Sequence, residues 1–139
     1  MEALKSYTDL VQSRALTKIL PHNTADHIYE RFTITKAKDV PKETLYKHNG
    51  NIPFQCCSGI GIPCWSLSAL LSVLPFDLIV DNKRYVFSMC KGFNKNGETY
   101  AIKYSIFNTT FYLHLTDFYN NPIDACVEMI VKLNELNLL

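Results

Sequence analysis

The C-terminal end of the chain carries the clearest helical pattern. Asn121 is a suitable N-cap, Pro122 fits the first helical position, and Asp124 in the first turn favours the helix dipole. Apolar residues cover a wider arc than a helix needs to pack on one sheet face. The pattern predicts a helix near residues 121–136. The members of the arc are Ile123, Cys126, Val127, Met129, Ile130, Val131, Leu133 and Leu136.

Two amide side chains, Asn134 and Asn137, fall inside this apolar arc. Either the last turn frays into solvent, as chain ends often do, or the two amides meet hydrogen-bond partners across an interface. The second explanation makes both asparagines candidate interaction residues. It also makes the wide arc a candidate surface for self-association.

Period-two alternation marks the preceding segment as a series of strands. In "FYLHLT", Phe111, Leu113 and Leu115 alternate with Tyr112, His114 and Thr116, which are expected on the polar, solvent-facing side. The turn signals "DNK", "NKNG" and "FNTT" separate the strands. Since parallel strands need long crossovers, these short connections predict an antiparallel meander near residues 78–116.

Two further helical patterns precede the meander. In "WSLSALLSVLP", Ser66 can cap the first turn and Pro75 ends the helix. Nearer the N-terminus, a helix is expected to take Thr8 as its N-cap, to end before Pro21, and to place Val11 on its buried face.

The stretch between these helices has weaker signals. Thr24 predicts a short helix over "NTADHIYER", "FTIT" predicts a strand, and residues 36–50 read as a loop. Together the patterns predict an α+β fold, with an antiparallel sheet of three to five strands packed by about three helices. A chain of 139 residues suits a single globular domain over residues 1–139.

Composition narrows the class of partner. The chain is 47% hydrophobic and 19% charged, which indicates a globular protein. A net charge of +1 gives little of the long-range field expected of a nonspecific nucleic-acid binder. A nucleic-acid site on an open sheet face would use Lys103, Tyr112 and His114, but the near-neutral charge argues against it.

The N-terminal sequence and the cysteine content indicate the cellular compartment in which the protein is expected. The start, "MEALKSYTDLVQSR", has no apolar core of signal-peptide length, and no run approaches the roughly 18 apolar residues of a membrane span. The five cysteines are odd in number and clustered, unlike a secreted disulfide framework. We therefore expect a cytoplasmic protein with free thiols and no membrane association.

Candidate chemistry concentrates in the loop from Cys56 to Cys64. Cys56, Cys57 and Cys64 form no C-x2-C pair, whereas structural zinc usually needs four ligands at such spacings. The loop also resembles the phosphate loop of cysteine phosphatases, but that loop needs an arginine six positions after the cysteine. Ile62 and Pro63 occupy those positions, so the match fails.

Other catalytic patterns are equally incomplete. The glycines of "GIGIPC" lack the third glycine and the strand–helix–strand unit of a dinucleotide site. A reactive thiolate needs a base, and nothing local places His48 or His114 beside a cysteine. No nucleophile elbow is present for a Ser–His–Asp site. We therefore assign no catalytic, cofactor-binding or metal-binding residue and expect no cofactor.

Three segments resemble a family of small proteins found in gut Bacteroides and related bacteria, and in their phages and mobile elements. They are "QSRALTKILPHNTADHIYER", "IPCWSLSALLSVLP" and "NPIDACVEMIVKLNELNLL". The family has no established activity to transfer, so the resemblance implies a source, a bacterial host cell, rather than a chemistry. Small mobile-element proteins without enzyme motifs often bind host or viral macromolecules, which is an argument by association.

Three functional hypotheses follow. The first is a noncatalytic binding or adaptor protein of a phage or mobile element, which acts on a protein partner and forms a homo-oligomer. The alternative is a small enzyme or ligand-binding protein that uses the Cys56–Cys64 loop, and the third is a nucleic-acid-binding protein. The candidate interaction residues are Lys103, Tyr112, His114, Asn134 and Asn137.

Overall fold

The structure is a computed structural model that describes the backbone of residues 5–30, 33–36, 54–56 and 59–139 and the side chains of residues 5–28 and 61–139. The described residues form two compact units, Lys5–Val73 and Leu74–Leu139. That the whole chain is one domain stays a prediction. Most of the loop predicted over residues 36–50 lies outside the described residues.

The Lys5–Val73 unit contains a four-stranded sheet and two described α-helices. All described strand pairs are antiparallel, in the order β2-β1-β4-β3. Helix α1 packs on β4. The elements are α1 (Leu10–Thr17), a 3₁₀ turn (His22–Thr24), β1 (His27–Glu30), β2 (Thr33–Lys36), β3 (Phe54–Cys56), β4 (Gly59–Cys64) and α2 (Leu67–Val73).

Helix α1 begins one residue later than predicted. Its N-cap is Asp9, which accepts the Gln12 N–H at 2.8 Å, and the Gln12 side chain accepts the Asp9 N–H at 3.1 Å. Thr8 instead accepts the Trp65 N–H at 3.1 Å. Val11 was expected to be buried but is 79% exposed. The buried face of the helix is more polar than expected and consists of Ser13, Leu16 and Thr17.

Three strands of this sheet, β1, β3 and β4, were missed. The predicted helix at Thr24 is a single 3₁₀ turn, and the chain then enters β1, while the glycine-rich segment before Trp65 is strand β4 rather than a loop. His27 pairs with Cys64 across these strands, and Ile28 and Cys64 are fully buried. Long-range pairing of this kind outweighs a local capping signal, because burial rather than propensity supplies most of the stability.

Helix α2 was predicted correctly at its N-terminus. The Ser66 hydroxyl accepts the Ala69 N–H at 3.3 Å, as an N-cap does. Leu70 is fully buried on the inner face, whereas the neighbouring Leu71 is 38% exposed. The short helix therefore buries a narrower stripe than its leucine content suggests.

The Leu74–Leu139 unit is the predicted meander followed by the predicted C-terminal helix. Its four strands follow one another in space as they do in sequence, and every pair is antiparallel. The α+β prediction is confirmed. The elements are β5 (Asp77–Val80), β6 (Lys83–Asn94), β7 (Gly97–Ser105), β8 (Tyr112–Leu115) and α3 (Pro122–Glu135).

Turn residues set the register of the meander. Asp81 and Asn82, with φ of 51° and 64°, form the two-residue connection between β5 and β6. Positive φ at both central positions is the type I′ geometry whose twist suits a tight hairpin. The connection from β6 to β7 uses Gly97 at φ 114°, where a side chain would be strained.

Helix α3 covers half of this sheet. It packs on β7 and β8, and Ile102 and Tyr104 of β7 are fully buried. Met89 of β6 lies opposite Ile102 and is 38% exposed. The boundary of the covered face therefore runs between β6 and β7.

The N-terminus of α3 confirms its predicted cap, and its C-terminus is closed rather than frayed. Asn121 accepts the Asp124 N–H at 2.9 Å. At the other end, the Leu138 N–H donates to Leu133 O at 2.8 Å and the Asn137 N–H donates to Asn134 O at 3.1 Å. With Asn137 at φ 57°, these two bonds form a Schellman motif.

This cap predicts different responses at two neighbouring asparagines. Asn137→Val should lower the free energy of unfolding by about 1–2 kcal/mol, because a β-branched residue resists the left-handed conformation. Asn137→Gly should be neutral or stabilising. The matched control Asn134→Val, in the exposed last turn, should change stability by less than about 0.5 kcal/mol. Urea denaturation measures all three, and equal effects of the two valine variants would show a frayed helix end.

Candidate interaction surface

The three residues predicted for a nucleic-acid face do not all share one face: Tyr112, opposite Ser105, lies on the same side as Lys103, and His114 lies on the other. Lys103 pairs with Leu115, and the next residue along β7, Tyr104, pairs with His114. Because successive residues of a strand point to opposite sides, Lys103 and His114 lie on opposite faces of the sheet. Tyr112 is exposed at the start of β8.

The alternation predicted for β8 is also reversed in part. His114 faces α3 instead of solvent, and Thr116, predicted to be polar and outward, is 3% exposed and accepts the Ile102 N–H at 2.9 Å. Phe111, predicted on the apolar side, is largely exposed. The β7–β8 pairing has a register shift between Tyr104 and Ser105, where one extra residue of β8 interrupts the simple alternation on which the prediction depended.

His114 belongs to a cluster around the carboxylate of Glu128. His114 Nε2 lies 2.9 Å from Glu128 Oε2, and Glu128 Oε1 accepts the Tyr119 hydroxyl at 2.6 Å and the Asp117 N–H at 3.1 Å. These bonds join strand β8, the connection after it and helix α3. The sequence gives no local signal for this role of Glu128, because its three partners lie outside the helix, 9 to 14 residues earlier in the chain.

The electrostatics of this cluster keep the Glu128 carboxylate ionised, which does not suit a group that takes up and releases a proton near neutral pH. Partial burial raises the pKa of Glu128, but the hydrogen bonds from Tyr119, His114 and the Asp117 N–H outweigh burial and lower it overall. The bond to Glu128 raises the pKa of Tyr119 well above its usual value. At neutral pH, Glu128 is therefore ionised and Tyr119 protonated, which makes the cluster a structural clamp on α3.

A second cluster lies in the Lys5–Val73 unit around Asp26. One carboxylate oxygen of Asp26 accepts the Ser66 N–H at 2.9 Å and lies 2.9 Å from His27 Nδ1, and the other accepts the Ser66 hydroxyl. The ring of His27 contacts that of Tyr7, with centroids 4.4 Å apart. Sequence reasoning missed Asp26, because no local signal links it to Ser66.

The order of these groups excludes a serine–histidine proton relay within the cluster. A serine nucleophile must pass its proton to the imidazole, whereas the Ser66 hydroxyl donates to the carboxylate of Asp26. Burial raises the pKa of Asp26, and the hydrogen bonds from Ser66, together with the nearby His27 imidazole, lower it overall. The ionised Asp26 therefore holds the start of α2 against β1.

The described cysteines are free thiols, and two of them are in environments that make a thiol unreactive. Burial raises the pKa of Cys64 to about 12, with a smaller contribution from the charge of Asp26, and burial alone raises that of Cys126 to about 12. Cys90 is half-buried. The side chains of Cys56 and Cys57 lie outside the described residues. Among the described side chains, no three histidine, cysteine or acidic residues gather as metal ligands.

Exposed aromatic side chains are the most informative feature of the Leu74–Leu139 unit. Five of its six phenylalanines are more than half exposed, although a folded chain usually buries this residue type. The sixth, Phe87, contacts the ring of Tyr104 edge-on at 5.8 Å. The exposed set is Phe76, Phe93, Phe107, Phe111 and Phe118.

Three exposed aromatic residues lie in or directly beside the connection between β7 and β8. We call Phe107, Phe111 and Tyr112 the aromatic tip; they are 74%, 71% and 57% exposed. The connection is ordered, because the Ile106 N–H donates to Phe111 O at 3.0 Å and the Thr109 N–H donates to Ile106 O at 3.1 Å. No residue from 106 to 112 is charged. The tip therefore presents a preorganised apolar surface.

Comparison with known proteins adds no relative. No family model, curated protein or solved structure matches the chain. Within the described ranges, none of the helices combines the length and apolar character needed to cross a membrane.

The Glu128 cluster predicts a pH-dependent stability difference. Glu128→Gln should lower the free energy of unfolding by about 1–2 kcal/mol at pH 7, since bonds to a charged acceptor are lost. Because the native pKa of Glu128 is lowered, its contribution is present above the ordinary value of about 4.3 and is lost as pH falls through the native pKa. The stability difference between wild type and variant should therefore begin to shrink as pH falls below about 4.3 and should vanish only below the native pKa of Glu128.

The matched control for this series is Glu135→Gln. Glu135 lies in the last turn of α3, is 61% exposed at its side chain and is 3.9 Å from Lys132. Its replacement should change stability by less than about 0.5 kcal/mol at either pH. A Glu128→Gln deficit that persisted unchanged at pH 3 would contradict the assignment of an ionised Glu128.

The cysteine environments predict an order of thiol reactivity. Cys64 and Cys126 should react with iodoacetamide only after denaturation, because both are buried and protonated at pH 8. Cys90 should be modified in the native protein. Peptide mass spectrometry assigns each site, and rapid native labelling of Cys64 would contradict the description.

Proposed function

We propose that this chain is a noncatalytic binding or adaptor protein that engages a protein partner through the aromatic tip, Phe107, Phe111 and Tyr112. The family resemblance adds the proposal that it serves a phage or mobile element in the bacterial cytoplasm. The exposure of the tip in an ordered turn is the observation that carries the proposal.

The energetics of the tip support recognition. Burying one phenylalanine side chain contributes about 1.5–3 kcal/mol relative to leaving it exposed. Aromatic anchors dominate the binding energy of protein interfaces, and a turn that is already ordered loses little entropy on binding. Phe107 and Phe111 are thus suited to fill pockets of a partner.

The charge of the tip favours protein over the other macromolecules. Surfaces that bind anionic lipid or nucleic acid carry lysine and arginine, whereas the segment from residue 106 to 112 has neither. Lys103 and His114, which would extend a nucleic-acid face, point to opposite sides of the sheet. An apolar, uncharged tip fits an apolar pocket on a protein.

The alternative hypothesis of a thiol-based enzyme draws no support from Cys64. Its thiol is fully buried, and its pKa is raised to about 12. A nucleophilic cysteine needs an exposed site and a lowered pKa. The Asp26 and Glu128 clusters are both occupied by internal hydrogen bonds.

The proposal does not include self-association through α3. The wide apolar arc of this helix, which suggested a homo-oligomer, is buried within the chain except for half-buried Val131 and Leu136, which is 40% exposed. The amides of Asn134 and Asn137 are exposed, and their backbone groups close the helix end.

Affinity capture with matched variants tests the proposal. Wild-type protein should retain a specific partner from a lysate of a gut Bacteroides host, and the complex should then be rebuilt from purified components. Phe107→Ser/Phe111→Ser should weaken that purified complex at least about tenfold, since each anchor removed at an interface costs more than about 1 kcal/mol. The thermal midpoint should change little, because both side chains are already exposed.

The control is Val11→Ser, which removes an apolar side chain that is 79% exposed in the other unit. It should bind the partner as wild type does. Undiminished binding by the double variant would contradict the proposal. So would wild-type protein that retained no protein but bound vesicles of phosphatidylcholine and phosphatidylglycerol through the tip.

A further inference from the structure

Strand β6 is longer than the strand that pairs with its outer side. Strand β5 pairs with β6 over Lys83–Val86, and the Phe87 N–H then donates to Phe76 O at 2.9 Å. Beyond that bond, β6 continues to Asn94 with β7 on its other side. No described residue pairs with the outer side of Ser88–Asn94, which we call the open edge.

The alternation of the strand identifies the groups that face outward. The Phe87 N–H points toward the β5 side. With a period of two, the N–H and C=O groups of Met89, Lys91 and Phe93 point the same way. The intervening residues direct theirs to β7. The open edge thus offers three donors and three acceptors in a row.

The side chains of these three residues are exposed as well. Phe93 is 82% exposed, Met89 is 38% exposed, and the Lys91 side chain is 61% exposed. All three lie on one face of the strand, with Lys91 in the middle. An unpaired edge of this length with apolar flanks is a template on which another strand can pair.

We propose that the open edge binds an extended segment of a protein partner as an added antiparallel strand, with an acidic residue opposite Lys91 and apolar residues two positions to either side. The inference rests on the proposed protein-binding function and names a second contact surface for it. The bound segment would read apolar-x-acidic-x-apolar, so that its apolar side chains lie opposite Met89 and Phe93.

The charge of Lys91 argues for such a partner over a second copy of this chain. Phe76 blocks one end of the open edge and the turn after Asn94 limits the other. An antiparallel second copy that fills this length would centre on Lys91 and set two lysines directly opposite each other. Like charges in that position are destabilising, and an edge lysine is a common guard against self-pairing.

The existing contacts of Lys91 leave its charge available. Its ammonium lies 3.3 Å from Glu98 and 5.8 Å from the centre of the Tyr100 ring. The ion pair is more than half exposed on both sides and is therefore weak. A carboxylate of the partner can share or replace it without leaving a buried charge.

Amide hydrogen exchange of the full chain tests whether the edge is open. In the free protein, the amides of Met89, Lys91 and Phe93 should exchange at least about tenfold faster than those of Ser88, Cys90 and Gly92, which bond to β7. Equal protection of both sets in a monomer would overturn the proposal. If light scattering gives the mass of a dimer and the amides of Met89, Lys91 and Phe93 are protected in it, the edge pairs with a second copy of the chain.

A synthetic peptide tests the mode of binding. The probe is the peptide acetyl-Thr-Val-Thr-Glu-Thr-Val-Thr-amide. Its binding is measured from the changes in the NMR shifts of the backbone amides of the full chain. N-methylation of its glutamate should weaken binding about tenfold, because that N–H faces the open edge, whereas N-methylation of the preceding threonine should not. Equal tolerance of both changes, or no shift at millimolar peptide, would overturn strand addition.

Charge reversal tests the recognised residue. Lys91→Glu should reverse the preference between the glutamate probe and the same peptide with lysine at that position. The control Lys95→Glu makes the same charge change in the turn and should leave the preference intact. An unchanged preference in Lys91→Glu would overturn the acidic assignment.

These experiments test the proposal for the aromatic tip and the proposal for the open edge independently. The tip variant Phe107→Ser/Phe111→Ser should bind the peptide probe as wild type does, because the aromatic tip lies at the other end of the meander from Phe93. If this variant binds the probe normally and its complex with the partner is also as strong as that of wild type, only the proposal for the aromatic tip is overturned. Loss of probe binding in the tip variant would overturn the assignment of the probe to the open edge.

Discussion

One helix covers two strands of a four-stranded sheet, and most surface features of the Leu74–Leu139 unit depend on that mismatch. An α-helix with its side chains is about 10 Å wide, and neighbouring strands are about 4.8 Å apart. Helix α3 therefore shields β7 and β8, where Ile102 and Tyr104 are fully buried. Strand β6 lies beside the covered strands, and its Met89 and Phe93 remain 38% and 82% exposed.

The position of α3 is in turn set by polar contacts at its side. Glu128 gathers a hydroxyl, an imidazole and a backbone N–H from β8 and the connection after it, so the helix can neither slide nor rotate without leaving a half-buried carboxylate unsatisfied. Asp26 serves α2 in the same way. Both clusters resemble catalytic groupings in composition, yet their hydrogen bonds are directed inward and stabilise helix positions.

Several large apolar side chains of the Leu74–Leu139 unit lie outside its core. A unit that buries Ile102, Met129 and Ile130 while exposing five phenylalanines has apolar surface that its own core does not use. The aromatic tip and the open edge differ in how they would recognise a partner. The tip would insert aromatic side chains into pockets of a partner, whereas the edge would form backbone hydrogen bonds with an extended segment. Together they support the proposed protein-binding function.

The sequence by itself determined the features that depend on neighbouring residues: the Asn121 and Ser66 caps, the turns of the meander and the α+β class. Each is decided within a few positions, by a side chain that reaches the next turn or a backbone angle that few residues adopt. Only the tertiary structure decided the strands β1 and β4, the inward direction of His114 and the exposure of Phe111. Strand partners, a register shift and the width of a covering helix set these, and all three bring together residues that no local pattern connects.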